Sequence, residues 1–144
     1  MAKYHLPVFH FSVSWGGTNV GFSEVSGLTQ EIQPIEYRDG KMGPTTLPLK
    51  RPGLRKANNV MLKRGLLTAD NELFLWFNNT GKPNVERRDI TITLLNDDSE
   101  PVFVWVLSQA WPIKCEGPSL KATGNDIAIE AIELVHEGIT FRPA

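Results

Sequence analysis

The 144-residue sequence predicts a mainly β domain: a barrel or sandwich of about seven to eight strands with one flanking α-helix at about 70–80. Three observations carry this. Several short runs alternate apolar and polar residues with the period of two expected of half-buried strands. Turns rich in Gly, Pro, Asn and Asp separate those runs. One stretch, residues 68–81, changes convincingly to helical spacing. The length suits a single domain over 1–144 with a full core.

The first strand is expected over residues 8–15, where Phe9, Phe11, Val13 and Trp15 share one face and His10, Ser12 and Ser14 the other. The turn signal at Gly16–Asn19 predicts a hairpin whose second strand begins at Val20. In the next run Phe22 and Val25 are apolar, but Ser23, Glu24 and Ser26 keep it from being a plain core strand. After Gly27 a second extended run covers Leu28 to Arg38, with Ile32 and Ile35 on opposite faces. Pro34 between them has no N–H to give a ladder, so it marks an edge or a bulge. A strand with polar residues on both faces is weakly fixed by its own core. It makes physical sense if its second face meets another chain. Residues 39–56, rich in Gly, Pro and bases, are expected to form a long basic loop.

A strand at Asn58–Arg64 follows, closed by Gly65. Thr68 or Asp70 can cap the helix, Leu73, Trp76 and Phe77 form its apolar face, and Gly81 and Pro83 stop it. Arg87–Leu95 alternates Ile90, Ile92 and Leu94 against Thr91 and Thr93, and Asn96–Pro101 makes a turn. Val102–Leu107 is apolar on both faces and reads as a central strand, with a shorter extended piece at Trp111–Lys114. Residues 125–137 fit two structures. A strand needs a bulge near Glu130 and Ala131 to reconcile Ile127 and Ile129 with Ile132 and Leu134, whereas Ile129, Ile132 and His136 fit helical spacing.

The formal net charge of −1 gives no global pull toward nucleic acid or membranes. Its distribution is uneven. Residues 38–64 carry eight bases against Asp39, while residues 70–144 carry twelve acids and six bases. Such a division fits either ordinary solvated faces or electrostatic registration between copies. The single Cys115 excludes an intramolecular disulfide, and a buried structural thiol is its expected state. No apolar run approaches a membrane span or a signal-peptide core, so the expected folding compartment is a reducing cytosol.

The usual chemical constellations are missing. His5, His10 and His136 have no metal-site spacing. Gly40-x-x-Gly43 lacks the remainder of a phosphate-binding loop, and Ser23 and Ser26 have no nearby base. Asp97 and Asp98 form a turn pair, expected to be solvated. The sequence therefore predicts no enzyme, no cofactor and no metal.

Six stretches in order, Gly21–Leu28, Ile35–Gly40, Leu62–Gly65, Arg88–Ile92, Ala110–Pro112 and Asn125–Glu130, together resemble the contractile tail-tube proteins. These include the tail tube protein of T4-like phages and the inner-tube protein of phage-tail-like contractile injection systems. The resemblance covers nearly the whole chain and favours a strand at 125–137. It implies an Hcp-like, β-barrel-like subunit that forms homohexameric rings, stacked into a hollow tube within a contractile sheath. The implied partners are copies of itself, the sheath protein, baseplate or hub and tube-terminator proteins, and cargo, either DNA or effector proteins, in the lumen. Neither sequence-specific nucleic-acid readout nor direct membrane insertion is implied. The implied setting is assembly in the bacterial cytoplasm and residence in a virion tail or a released or anchored particle. A secreted ring-forming effector carrier of a type VI-like system is the alternative. Carried over by position, Phe22, Ser23, Glu24, Val25, Gly27 and Leu28 fall at subunit interfaces. So do Glu36, Tyr37, Arg38 and Asp39 from the second motif, and Lys63 and Arg64 from the third.

Overall fold

The computed structural model describes residues 5–16, 21–81 and 85–144. Among them nine strands and one helix follow the order β1 (Phe11–Ser14), β2 (Glu24–Ser26), β3 (Gln30–Tyr37), β4 (Leu49–Ala57), β5 (Val60–Gly65), α1 (Glu72–Asn79), β6 (Arg88–Leu95), β7 (Pro101–Glu116), β8 (Ile129–Val135) and β9 (Gly138–Pro143). Seven strands pair in the order β1-β6-β7-β8-β5-β2 with β9 also on β7, while β3 and β4 pair with each other alone.

β7 organises the body because it belongs to both halves of the sheet. Its first part lies between β6 and β9, with Trp105 opposite Ile92 and Phe141. Its last part pairs with β8, from Trp111–Val135 to Glu116–Ala131. The change of partner falls at Gln109, whose φ is 52°. Asp89 accepts the Gln109 N–H at 3.0 Å, and β6 shifts register between Arg88 and Ile90 opposite it. Such a bulge bends a strand and redirects it. The result is an open sandwich, without the closed circuit of strands that would make a barrel.

Register fixes the core. Val13, Ile92 and Trp105 lie in one row, and Val25, Leu62 and Ile132 in another. Leu62, Leu73, Ile90, Leu107, Ile132 and Leu134 are completely buried. Each stabilises the fold by about 1.5–3 kcal/mol through removal of apolar surface from water. The helix docks through Leu73 and Trp76, and the Trp76 indole N–H donates to the Glu86 carbonyl at 3.0 Å. The Arg88 guanidinium sits 5.2 Å from the Trp15 ring and 4.6 Å from that of Trp76, filling the seam with a cation–π contact.

Several expectations are corrected. The strand after Gly21 pairs with β5, and β1 pairs with β6, so the two do not form a hairpin; the turn expected at Gly16–Asn19 lies largely outside the described residues. Phe9 falls outside β1 and is exposed. The helix begins after Asn71, which makes no side-chain cap, while Asp70 accepts the Glu72 N–H at 3.2 Å. Trp111–Lys114 is part of β7. Residues 129–135 form a strand, and the bulge expected at Glu130 and Ala131 sits instead in β7 between Pro112 and Lys114. The loop expected at 39–56 ends at Pro48, because Leu49–Ala57 is β4. Pro52 and Gly53, which read as loop signals, are tolerated in a free two-stranded ribbon with an open edge.

Candidate assembly surface

β3 and β4 form an arm without a core. They pair from Gln30–Ala57 to Tyr37–Leu49, with an irregularity between Ile32 and Pro34, the position where Pro34 implied one. All eight residues of β3 are exposed, as are those of β4 apart from Gly53 and Ala57. A lone two-stranded hairpin is marginal in water at best. This one nevertheless carries Ile32, Ile35, Tyr37, Leu49 and Leu54 in solvent, Leu54 at 83% exposure.

The arm is fixed at both ends. At its root Gln30 donates to the Ile139 carbonyl at 3.2 Å, and the Asn58 N–H donates to the Thr29 carbonyl at 3.1 Å. The His136 ring Nε2 lies 3.1 Å from the Asn58 carbonyl. At the tip Arg38 donates to the carbonyls of Gly43 and Thr46. Asp39 accepts the Lys41 N–H at 2.9 Å. Within the arm Gly53 allows close approach. A Cβ there would lie 2.4 Å from the Gln33 carbonyl oxygen.

The residues expected at interfaces divide into three groups. Glu36, Tyr37, Arg38 and Asp39 are exposed on the arm and its tip. Ser23, Glu24 and Lys63 lie together on the outer face of β2 and β5, where Glu24 and Lys63 are directly opposite and 3.1 Å apart. Ser23 donates to the Lys63 carbonyl. Val25 and Leu28 are half-buried against the core, and Gly27 takes a φ of 89° beside the Asn59 carbonyl. Phe22 and Arg64 are buried inside their own subunit. In the single chain their side chains face the core, unlike the other residues expected at interfaces.

Arg64 instead anchors the interior. It pairs with Glu130 at 2.5 Å and Asp70 at 3.1 Å, and its guanidinium lies 5.8 Å from the Trp15 ring and 5.9 Å from that of Phe22. The opposite face of this half of the sheet is charged. Lys114 and Glu116 are 2.8 Å apart, and their hydrogen bond raises the Lys114 pKa and lowers that of Glu116. Burial, followed by the charge of Glu130, pushes the Cys115 thiol up. No group of three or more His, Cys, Asp or Glu among the described residues is placed to hold a metal ion.

Sequence reasoning missed two features. One is the set of arm apolar residues beyond Tyr37, hidden by the Pro- and Gly-rich composition of 44–53. The other is an aromatic stack in which the Phe141 ring lies 4.9 Å from Phe103 and 4.8 Å from Trp105. The spacing of Phe103 and Trp105 placed both on one face of a strand, but nothing in the sequence paired that face with β9.

A family model described as T4-like virus tail tube protein gp19 matches residues 7–140. Among solved structures, the chain is similar to one of the anti-feeding prophage (AFP) tube terminating cap: 35% identity, TM-score 0.89, covering 100% of this chain and 95% of that one. It is also similar to a chain of the PVC sheath–tube complex, an extracellular contractile injection system in the extended state: 37% identity, TM-score 0.89, covering 99% and 94%. An Hcp1 structure from Flavobacterium johnsoniae shares the fold at 18% identity and a TM-score of 0.59, covering 91% and 93%. No match is found among curated protein sequences.

Proposed function

The chain belongs to the T4-like virus tail tube protein family, and from that premise we propose that it builds the inner tube of a contractile injection particle by forming six-membered rings that stack. The observation that carries this reading is the arm, an ordered hairpin with apolar residues on show and no core of its own. Its exposed apolar surface is stabilised when another copy covers it. Head-to-tail contacts of this kind close into rings or run on as filaments, according to the rotation between copies. The interface comprises the arm residues Glu36, Tyr37, Arg38 and Asp39 and the β2–β5 patch of Ser23, Glu24, Val25, Gly27, Leu28 and Lys63.

The role is structural. The tube encloses cargo, lies within a sheath, and meets baseplate and terminator proteins at its ends, in line with the sheath–tube, cap and baseplate assemblies that hold similar chains. A similar chain at 37% identity comes from an extracellular contractile injection system, which favours a tube inside an injection particle over a secreted type VI-like carrier. Negative-stain microscopy and sedimentation of the purified chain test the reading. Six-fold rings and stacked tubes are expected. Monomers at every concentration, with baseplate proteins added, would overturn it.

A further inference from the structure

The core-facing side of the β1-β6-β7-β9 half-sheet is left open at one end. In register, Phe11 faces Leu94, Leu94 faces Phe103, and Trp105 faces Phe141. At the other end of this surface Ile90, Leu107 and Ile139 are buried. Toward the β6–β7 turn the covering runs out: Phe103 and Trp105 are half-buried, and Phe141, stacked on both, is 54% exposed. The result is an aromatic shelf on a packed, hydrogen-bonded sheet.

Acidic residues rim the shelf. The turn from Asn96 to Glu100 holds Asp97, Asp98 and Glu100, all exposed. Asn96 Oδ1 fixes the turn by accepting the N–H groups of Asp98 and Glu100, each at 2.9 Å. Arg142, one residue beyond Phe141, lies on the opposite face of its strand. The arm has the complementary character, with Tyr37, Leu49 and Leu54 exposed and six bases against three acids over residues 30–57.

Within one molecule the two stay apart. The arm is rooted beside Ile139 and His136, whereas Phe141 lies two residues farther along β9, about 7 Å away at ~3.3 Å per residue, and Pro143, opposite Phe103 near the acidic turn, about 13 Å away. An arm folded back over the shelf would shield both surfaces, yet both are exposed.

We propose that the shelf of Phe103, Trp105 and Phe141, with the acidic rim of Asp97, Asp98 and Glu100, is the receptor for the β3–β4 arm of a second copy. The inference rests on the tube reading and names the surface that receives the arm. Desolvated aromatic anchors supply the holding energy, and the charges fix approach and register. Because the arm and its receptor are different surfaces of the same chain, the contact is directional and each copy leaves a free arm and a free shelf.

The test places a benzophenone amino acid at Leu54 of the full chain and maps photo-crosslinks in the assembled protein. Alongside it, the turn-reversed variant Asp97→Lys/Asp98→Lys is compared with wild type. Circular dichroism confirms its fold, since both sites are exposed in a turn. Crosslinks to peptides holding 97–105 or Phe141 of another copy are expected, with at least a tenfold loss of sedimenting assembly in the turn-reversed chain. Mixing that chain with an arm-reversed one, Lys50→Glu/Arg51→Glu/Arg55→Glu, restores assembly that neither supports alone. Wild-type assembly with crosslinks elsewhere, or equal assembly by the turn-reversed chain, would overturn this contact and leave the tube reading intact. A wild-type chain that stays monomeric would overturn both.

Discussion

Arg64 of β5 and Glu130 of β8 face each other across the ladder, Nε 2.5 Å from Oε1, and both are shut away from solvent. Asp70, just before α1, shares the same guanidinium. Strand, neighbouring strand and helix are thus joined at one buried cation. Removing that cation leaves the Glu130 carboxylate buried with its main counter-charge gone. Arg64→Ala is therefore expected to destabilise the subunit by about 3–5 kcal/mol, read as a lower urea midpoint. A loss below about 1 kcal/mol would show that the site relaxes by admitting water.

Glu24 lies directly opposite Lys63 with both side chains largely exposed. Glu24→Lys sets like charges against each other at a local cost of about 0.2–1 kcal/mol. The subunit should melt nearly as wild type does, while ring and tube yield falls sharply in electron micrographs. Outright unfolding would assign the pair to the fold instead of to assembly.

Gly53→Ala separates arm from body. The added methyl would meet the Gln33 carbonyl oxygen at 2.4 Å and Ile35 Cγ1 at 2.9 Å, both inside the hairpin. Hydrogen exchange should quicken across 30–57 and stay unchanged in β5 to β8, with assembly lost. Protection unchanged in the arm would show that β3 and β4 move apart without cost.

Arg38 ties the arm's tip through the carbonyls of Gly43 and Thr46. Arg38→Glu removes both donors and adds a charge that repels them. Limited proteolysis should then cut within 39–48 at least several-fold faster than in wild type, with an unchanged melting temperature. Cleavage there at the wild-type rate would mean the tip holds its shape without the guanidinium.

Burial, then the Glu130 charge, raises the pKa of Cys115, so at any pH less thiolate is present than in a free thiol. Alkylation of the folded chain at pH 8 should be slower than in urea, and its pH–rate profile should be displaced upward. A profile equal to that of the unfolded chain would place the sulfur in water.

The fold class was legible because the body strands are half-buried. Val13 and Trp15, Ile90 and Ile92, and Val60 and Leu62 keep the period of two that burial on one side imposes. The arm was half legible. Its first strand showed itself by what it lacked, a consistent apolar face, and Pro34 marked the irregularity. Its second strand was hidden, because an exposed ribbon puts no apolar demand on Leu49–Ala57 and Pro52 and Gly53 imitate a loop. The burial of Arg64 was not legible, because only the pairing of β5 with β8 brings Glu130 to meet it.

β7 runs unbroken for 16 residues, roughly 50 Å at ~3.3 Å per residue, through both halves of the sandwich. A force on one layer therefore reaches the other along covalent backbone, without depending on the grip of side chains. Along that strand the rungs to β6, β8 and β9 are strained sideways all at once instead of being peeled open singly. Such wiring toughens the subunit against load along β7, with the kink at Gln109 as the place where it would first give.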